Sequence, residues 1–364
     1  MTKNVVVVAG ARPNFIKIAH LVTKLKRDKA FRCRLIHTGQ HYDFEMSEVF
    51  FRDLKIPRPD VFLGAGSGSH AQQTARIMTA FEDALNNERP DLVIVAGDVN
   101  STLACSVTAA KMNIPVAHVE AGLRSFDRTM PEEINRIVTD SLSSLHFVTE
   151  QSGVDNLRRE GVNTKNIHLV GNTMIDPLAA NVRAVGRSDV LKRIGFKPRS
   201  FAVLTMHRPS NVDSAVSLRE VFEILAAVAE RIPIVYPVHP RTLESFKTHG
   251  LGEKFHEIPG LRLTEPLGYI DFIRLVRDSK FVLTDSGGIQ EETTWLCVPC
   301  LTMRDTTERP VTVSLGTNKL VGREINEIVR SVDKILAGKW KKGRVPKLWD
   351  GRATDRIIEI LKKH

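Results

Sequence analysis

Several short segments of the 364-residue chain crowd acidic, basic and histidine side chains into the positions just after apolar runs. "AGARPNFIK" carries Arg12 and Lys17, "GDVNST" carries Asp98, and "HVEAGLRS" carries Glu120 and Arg124. "RTMPEEINR" adds Glu132, Glu133 and Arg136. Later segments are "TMHRPSN" with His207 and Arg208, "PVHPR" with His239 and Arg241, and "MRDTTERP" with Arg304, Glu308 and Arg309. "TDSGGIQEE" holds Ser286, Gly287, Gly288, Glu291 and Glu292. Glycines at a strand-to-helix turn let a ligand approach the backbone, and a new helix N-terminus offers unpaired N–H groups to an anion. "SGG" therefore reads as a phosphate seat, with a carboxylate beside it kept for a neutral group such as a sugar hydroxyl. Carboxylates crowded into one site raise one another's pKa, which prepares an acid and a base together. Cations plus three candidate proton carriers suit a phosphorylated sugar whose reaction moves protons and expels a phosphate leaving group.

Each residue also has a bland reading. A lone Asp after a strand is usually a helix cap, Pro131–Glu132–Glu133 is an ordinary helix first turn, and first-turn Glu residues favour the helix dipole. A single His at a strand end is more often structural than catalytic. Jointly, at the ends of so many strands, coincidence is the weaker explanation.

The elements that must position these residues alternate in the α/β manner. "NVVVVAG", "RCRLIHTG", "DLVIVAG", "IPVAHVEAG", "LHFVTE" and "NIHLVGN" read as strands, separated by helical stretches such as "NFIKIAHLVTKLKRD" and "AQQTARIMTAFEDALNNE". Strands this apolar between helices indicate parallel sheets covered on both faces. After the charged, irregular "VRAVGRSDVLKRIGFKPRS", the series restarts with "FAVLTMH", "IPIVYPVHP", "LRLTEPLG", "KFVLTD" and "CVPCLTM". The expectation is an α/β chain of two doubly wound, Rossmann-like domains facing across a cleft. The first spans residues 1–172 and the second 173–352, with a junction near Asn172 to Pro177 and a last helix, about 353–364, packing back on the first. In such sheets ligands bind beyond the carboxyl ends of the strands.

Composition narrows the classes. With 42% hydrophobic and 26% charged residues the chain is ordinary globular protein. No apolar run reaches the roughly 18 residues a membrane span needs, so a cytoplasmic protein is expected. The net charge of +10 comes from scattered basic residues without an aromatic platform or recognition helix, which argues for small anionic substrates over nucleic acid. Of Cys33, Cys105, Cys297 and Cys300, the last two form a CxxC pair in "CVPC". No second pair completes a zinc site, and both thiols read as small packing groups. No GxGxxG follows the first strand and no acidic residue ends the second, which disfavours a nicotinamide cofactor; no GxxxxGK[ST] is present either.

"GARPNFIK", "GDVNST", "HVEAGLRS", "MPEEINR", "LVGNTMID", "TDSGGIQEE" and "MRDTTERP", in this order from Val5 to about Gly322, resemble the non-hydrolysing UDP-N-acetylglucosamine 2-epimerases. The resemblance implies a fold similar to the GT-B glycosyltransferases, a homodimer, and no nicotinamide or obligatory metal. It implies removal of the C2 proton while the C1–O bond to UDP breaks, giving 2-acetamidoglucal, and re-addition of UDP with a proton on the other face. By position, Asp98, Glu120 and Glu132 would be the acid/base carboxylates and His207 the histidine near the diphosphate. Arg12 and Lys17 match the basic residues of the first loop, and Ser286, Gly287 and Gly288 the diphosphate seat. Glu292 matches the ribose-binding carboxylate, with Arg309 beside it, while Glu291 serves the helix. Arg136, Arg208 and His239 complete the expected substrate contacts.

Two departures stand out. The common "GTRPEAIK" is "GARPNFIK" here, and the usual "HRREN" is "HRPSN", with Pro209 and Ser210 in place of an Arg–Glu pair. Some relatives bind a second UDP-GlcNAc as an activator near "TGQHYD" and the arginine after the histidine; Gln40, His41 and Arg208 stand at those positions. The variant pattern also resembles epimerases of UDP-2,3-diacetamido-glucuronic acid. A GT-B glycosyltransferase, a hydrolysing epimerase and a non-catalytic UDP-sugar sensor are the rival classes. The first would need an acceptor site, the second would release free N-acetylmannosamine, and the third could dispense with the carboxylates.

Overall fold

The computed structural model describes residues 2–40, 53–54, 56–206, 208, 214–238, 240–250 and 252–364, leaving aside the side chains of residues 12, 13, 240, 241 and 253. The chain divides into two compact units, one made of Met1–Ala180 with Lys347–His364, the other of Asn181–Pro346. The division falls inside the helix Ile175–Arg187, a few residues beyond the junction expected from sequence.

The first unit is built on seven strands: β1 (Lys3–Ala9), β2 (Phe31–His37), β3 (Val61–Phe62), β4 (Leu92–Ala96), β5 (Val116–Ala121), β6 (Leu145–Val148) and β7 (Ile167–Leu169). All pair in parallel, in the order β3-β2-β1-β4-β5-β6-β7. The order reverses direction between β1 and β4, which opens a crevice at their carboxyl ends. β1 and β4 are buried along nearly their whole length, hence the valine-rich runs. Val6, Val8, Val93 and Val95 pack with Ile77, Phe81 and Leu85 of the helix His70–Asn87. That helix starts at a capping box: Ser69 Oγ accepts from the Gln72 amide, and Gln72 Oε1 from the Ser69 amide, both at 3.3 Å.

The last helix, Ala353–Leu361, belongs to this unit. Its first turn is held by Asp176, whose carboxylate accepts from the amides of Ala353 (3.1 Å) and Thr354 (2.7 Å). Trp349, buried just before it, donates from Nε1 to the Thr149 carbonyl at 3.1 Å. "LVGNTMID" thus has a structural use at its last residue.

The second unit has β8 (Ala202–Thr205), β9 (Ile234–Pro237), β10 (Leu261–Thr264), β11 (Val282–Thr284), β12 (Cys300–Thr302) and β13 (Asn318–Leu320), all parallel, in the order β10-β9-β8-β11-β12-β13. Its switch point lies between β8 and β11, so the residues after those strands face a crevice there. The stretch read as irregular is helical over Ile175–Arg187 and Val190–Ile194. Burial of Val185, Val190 and Leu191 orders it despite its charge.

One expectation about the cysteines fails. Cys300 is buried on β12, but Cys297 is exposed, at φ +54° in the turn after the helix Gly287–Trp295. Burial pushes the Cys300 thiol up to about 11.

Candidate active site

In the first unit the site residues gather at the switch point. β5 does not run straight past Glu120: Val119 pairs with Phe147 and Ala121 with Val148, so Glu120 is an extra residue, a β-bulge. Its φ is +72°, a region that costs a non-glycine residue about 1–3 kcal/mol. The bulge turns its side chain inward, 3% exposed, where the carboxylate accepts from Lys17 Nζ, itself 6% exposed. Lys17 sits in the second turn of the helix Arg12–Arg27, which follows β1. Asn14, one turn earlier, accepts from the Ala11 amide at 3.0 Å and donates to the Ala96 carbonyl at 2.7 Å. The departure from the common first-loop pattern therefore stitches β1 to β4. Gly97 has φ +69°, and a Cβ there would stand 2.7 Å from Lys17 Nζ and 3.2 Å from Glu120 Oε2. The lysine–glutamate pair fills the space a side chain would need.

Asp98 is not the helix cap. Val99 occupies that place before the helix Asn100–Lys111 and makes no side-chain bond. The Asp98 carboxylate instead pairs with Arg136 while keeping 20% of its side chain exposed. Its carbonyl accepts from Asn135 Nδ2 at 2.8 Å. Arg136 is buried between Asp98 and Glu133, 2.7 Å from the latter, and pairs with both carboxylates.

The adjacent glutamates of "MPEEINR" divide their work. Pro131 opens the helix Pro131–Leu142 with both in its first turn. Glu133 is 1% exposed and accepts from the Ser125 amide (3.0 Å) and hydroxyl (3.1 Å), the Phe126 amide (2.9 Å), and Arg136 Nε (3.0 Å) and Nη2 (2.7 Å). Burial opposes its charge, but these donors outweigh burial and hold its pKa below the ordinary value. Glu132 is half-buried with no hydrogen-bond or ion-pair partner among the described residues. One glutamate builds the loop after β5; the other is open to a ligand.

Gln40 is also tied down. Its Oε1 accepts from the Ser101 amide (3.2 Å) and hydroxyl (2.7 Å), and its carbonyl from Gln73 Nε2 (3.1 Å). Its side chain thus braces the head of the helix Asn100–Lys111.

The second unit carries its own cluster. Ser286 caps the helix Gly287–Trp295, whose first amides have no acceptor within the helix. Ser286, Gly287 and Gly288 are only partly buried, as an anion seat requires. A Cβ on Gly287 would lie 2.5 Å from Arg309 Nη1, so the guanidinium rests against this N-terminus. Arg309 pairs with Glu308 and, at 2.9 Å, with Glu291, while Arg304 pairs with Glu308 at 2.8 Å. This corrects the sequence reading: Glu291 lies in the second turn, fully buried, and anchors Arg309 rather than serving the helix dipole. Glu292 is buried beside Tyr269. Burial, with the Glu292 charge beside its hydroxyl, pushes the Tyr269 phenol well up, so it keeps its proton. Arg208 donates from its amide to the Asp285 carboxylate (2.9 Å) and from Nε to the Asp285 carbonyl (3.2 Å).

His207, His239 and His41 lie outside the described residues, as does the Arg12 side chain. Asn14, Asn135, His118, Asp140 and Tyr269 were not singled out from sequence. Asn14, Asn135 and His118 sit inside quoted segments, which was the available signal. Among the described residues no group of three or more His, Cys, Asp or Glu could hold a metal ion, and no helix is long and apolar enough to cross a membrane.

Comparison with known proteins agrees with this picture. Residues 23–362 match the family model for UDP-N-acetylglucosamine 2-epimerase. The chain is 38% identical to the UDP-N-acetylglucosamine 2-epimerase of Methanocaldococcus jannaschii over 360 residues, 98% of each chain. It is 39% identical to the UDP-2,3-diacetamido-2,3-dideoxy-D-glucuronate 2-epimerase of Pseudomonas aeruginosa over 363 residues, 99% of each. The crystal structure of the Methanocaldococcus enzyme in complex with UDP-GlcNAc and UDP superposes with a TM-score of 0.92, covering 99% of this chain and 100% of that one. Similarity of this extent, carried by the same ordered segments, means that the chain belongs to the UDP-N-acetylglucosamine 2-epimerases, a family of isomerases.

Proposed function

We propose that this protein interconverts UDP-N-acetylglucosamine and UDP-N-acetylmannosamine by eliminating UDP and adding it back. The first unit does the proton work at C2 and the second holds the nucleotide. A carboxylate takes the C2 proton as the C1–O bond breaks; the C–H electron pair becomes the C1=C2 double bond of 2-acetamidoglucal, and the C1–O pair leaves with UDP. Re-addition reverses these changes, with a proton delivered to the opposite face of C2. That hydrogen is not adjacent to a carbonyl, so departure of UDP must run ahead, and carboxylates near C1 stabilise the positive charge that builds there.

The observation that carries this reading is the carboxylate set at the first unit's switch point. Glu120 faces Lys17 on its bulge, Asp98 faces Arg136, and Glu132 has no partner among the described residues. Asp98, Glu120 and Glu132 are the proton carriers, with Arg12, Lys17 and His207 beside the reacting sugar and diphosphate. Ser286, Gly287, Gly288 and Arg309 seat the diphosphate, and Glu292 takes the ribose hydroxyls, with Arg208 and His239 nearby. We further propose a cytoplasmic homodimer, working without a cofactor, that supplies a donor for polysaccharide assembly.

A second reading rests on the Pseudomonas relative, whose name gives a diacetamido-glucuronate substrate. Incubation with UDP-N-acetylglucosamine alone, followed by proton NMR, should show the C2 epimer appearing without free sugar. No epimer from that substrate, with rapid turnover of UDP-2,3-diacetamido-glucuronic acid, would decide for the second reading.

A further inference from the structure

Two buried residues with no part in that scheme stand directly behind its carboxylates. His118, on β5, has Nε2 2.8 Å from the Gly97 carbonyl and Nδ1 2.7 Å from an Asp140 oxygen. A carbonyl oxygen cannot donate, so Nε2 carries a hydrogen. Asp140 is ionised: burial opposes its charge, yet His118 and Arg124 hold its pKa down at about 2. Nδ1 faces that carboxylate at hydrogen-bond distance, so the ring ties the Gly97 carbonyl to Asp140.

The second Asp140 oxygen accepts from the Gly122 amide at 3.0 Å and lies 2.7 Å from Arg124 Nη1. Arg124 is itself held by Glu160 at 2.9 and 2.6 Å, and Asn156 Nδ2 donates to the Gly122 carbonyl at 2.9 Å. Gly97 immediately precedes Asp98, and Gly122 lies two residues after Glu120. One buried aspartate thus fastens both turns: the β4 turn through His118, and the far side of the β5 bulge directly.

We propose that Asp140 and His118 are positioning residues that fix Asp98 and Glu120 relative to each other for proton transfer at C2, an inference that rests on the acid/base reading of those two carboxylates. The bulge needs such a fastening, because Glu120 is held in a backbone region it would leave if released. A displacement of about 1 Å at a reacting group costs roughly 100-fold in rate.

The test compares wild type with Asp140→Asn, His118→Gln and the double variant, with kcat expressed per UDP-binding site titrated by calorimetry. The expected result is kcat lower by roughly 10- to 100-fold, KM within about threefold and UDP affinity unchanged. The double variant should fall no further than the worse single one, because the two residues form one link. A pair that only stabilised the fold would change the number of UDP-binding sites and leave kcat per site alone. Wild-type kcat per site in either variant, or fully additive losses, would overturn the proposal. If Asp140→Asn does not fold, His118→Gln decides; if neither folds, the pair is structural and the proposal fails. Absence of epimerisation by the wild type would instead sink the proposed reaction.

Discussion

Glu120 stands where the backbone favours glycine, and its neighbour Gly97 stands where a side chain would collide with the Lys17 ion pair. Strain accepted at one residue and space cleared at another both serve the placing of a carboxylate. Conservative changes should therefore separate chemistry from structure. Asp98→Asn, Glu120→Gln and Glu132→Gln each remove a proton carrier, and each should slow turnover by about 100- to 10,000-fold with UDP affinity kept, read by NMR and calorimetry. Glu133→Gln should behave differently: loss of its charged hydrogen bonds should cost about 2–3 kcal/mol in a denaturant melt. Near-wild-type activity in all three carboxylate variants would make them structural. Asp140 supplies a pH signature. Its folded pKa of about 2 lies below the ordinary 3.8. Its contribution, about 2 kcal/mol, is thus complete above pH 4 and lost as pH falls toward 2. Urea melts between pH 5 and 2 should show a shallower acid decline for Asp140→Asn than for wild type.

At the level of elements, the strand-end positions of the site residues were legible in the sequence because apolar runs followed by glycine and polar residues mark the carboxyl ends of parallel strands. Which of two neighbours does which task was not. Glu132 and Glu133, like Glu291 and Glu292, are adjacent on a helix and point about 100° apart. Only the packing of the whole helix says which one meets the Ser125 loop or Arg309. β3 and β13 escaped notice since two or three residues carry no periodicity. The helix N-terminus at Gly287 allows a direct test. Gly287→Ala places a methyl against the Arg309 guanidinium, and moving that cation should weaken UDP binding about tenfold by calorimetry, since charge-assisted bonds contribute about 1.5–3 kcal/mol. Unchanged affinity would remove the diphosphate from this seat. The turn after the same helix should be dispensable. The Cys297→Ser/Cys300→Ser variant is expected to keep its turnover once folded, and activity loss in a stable variant would give "CVPC" a chemical role.

Over the whole molecule, a net charge of +10 suits an anionic nucleotide substrate, yet the buried cations Lys17, Arg124, Arg136 and Arg309 are each matched by a carboxylate. Matching of this kind orients the carboxylates, and under the proposed function it leaves the backbone amides at Gly287 and Gly288 to meet the diphosphate. Elimination and re-addition require C2 to lose its proton to the protein and regain one on the other face. Turnover of UDP-N-acetylglucosamine in deuterium oxide, followed by proton NMR and mass spectrometry, tests that requirement most directly. Solvent deuterium should appear at C2 of the epimerised product, at one deuterium per molecule. Product that retains its original C2 hydrogen would contradict elimination and re-addition, and would point to a hydride-transfer route in their place.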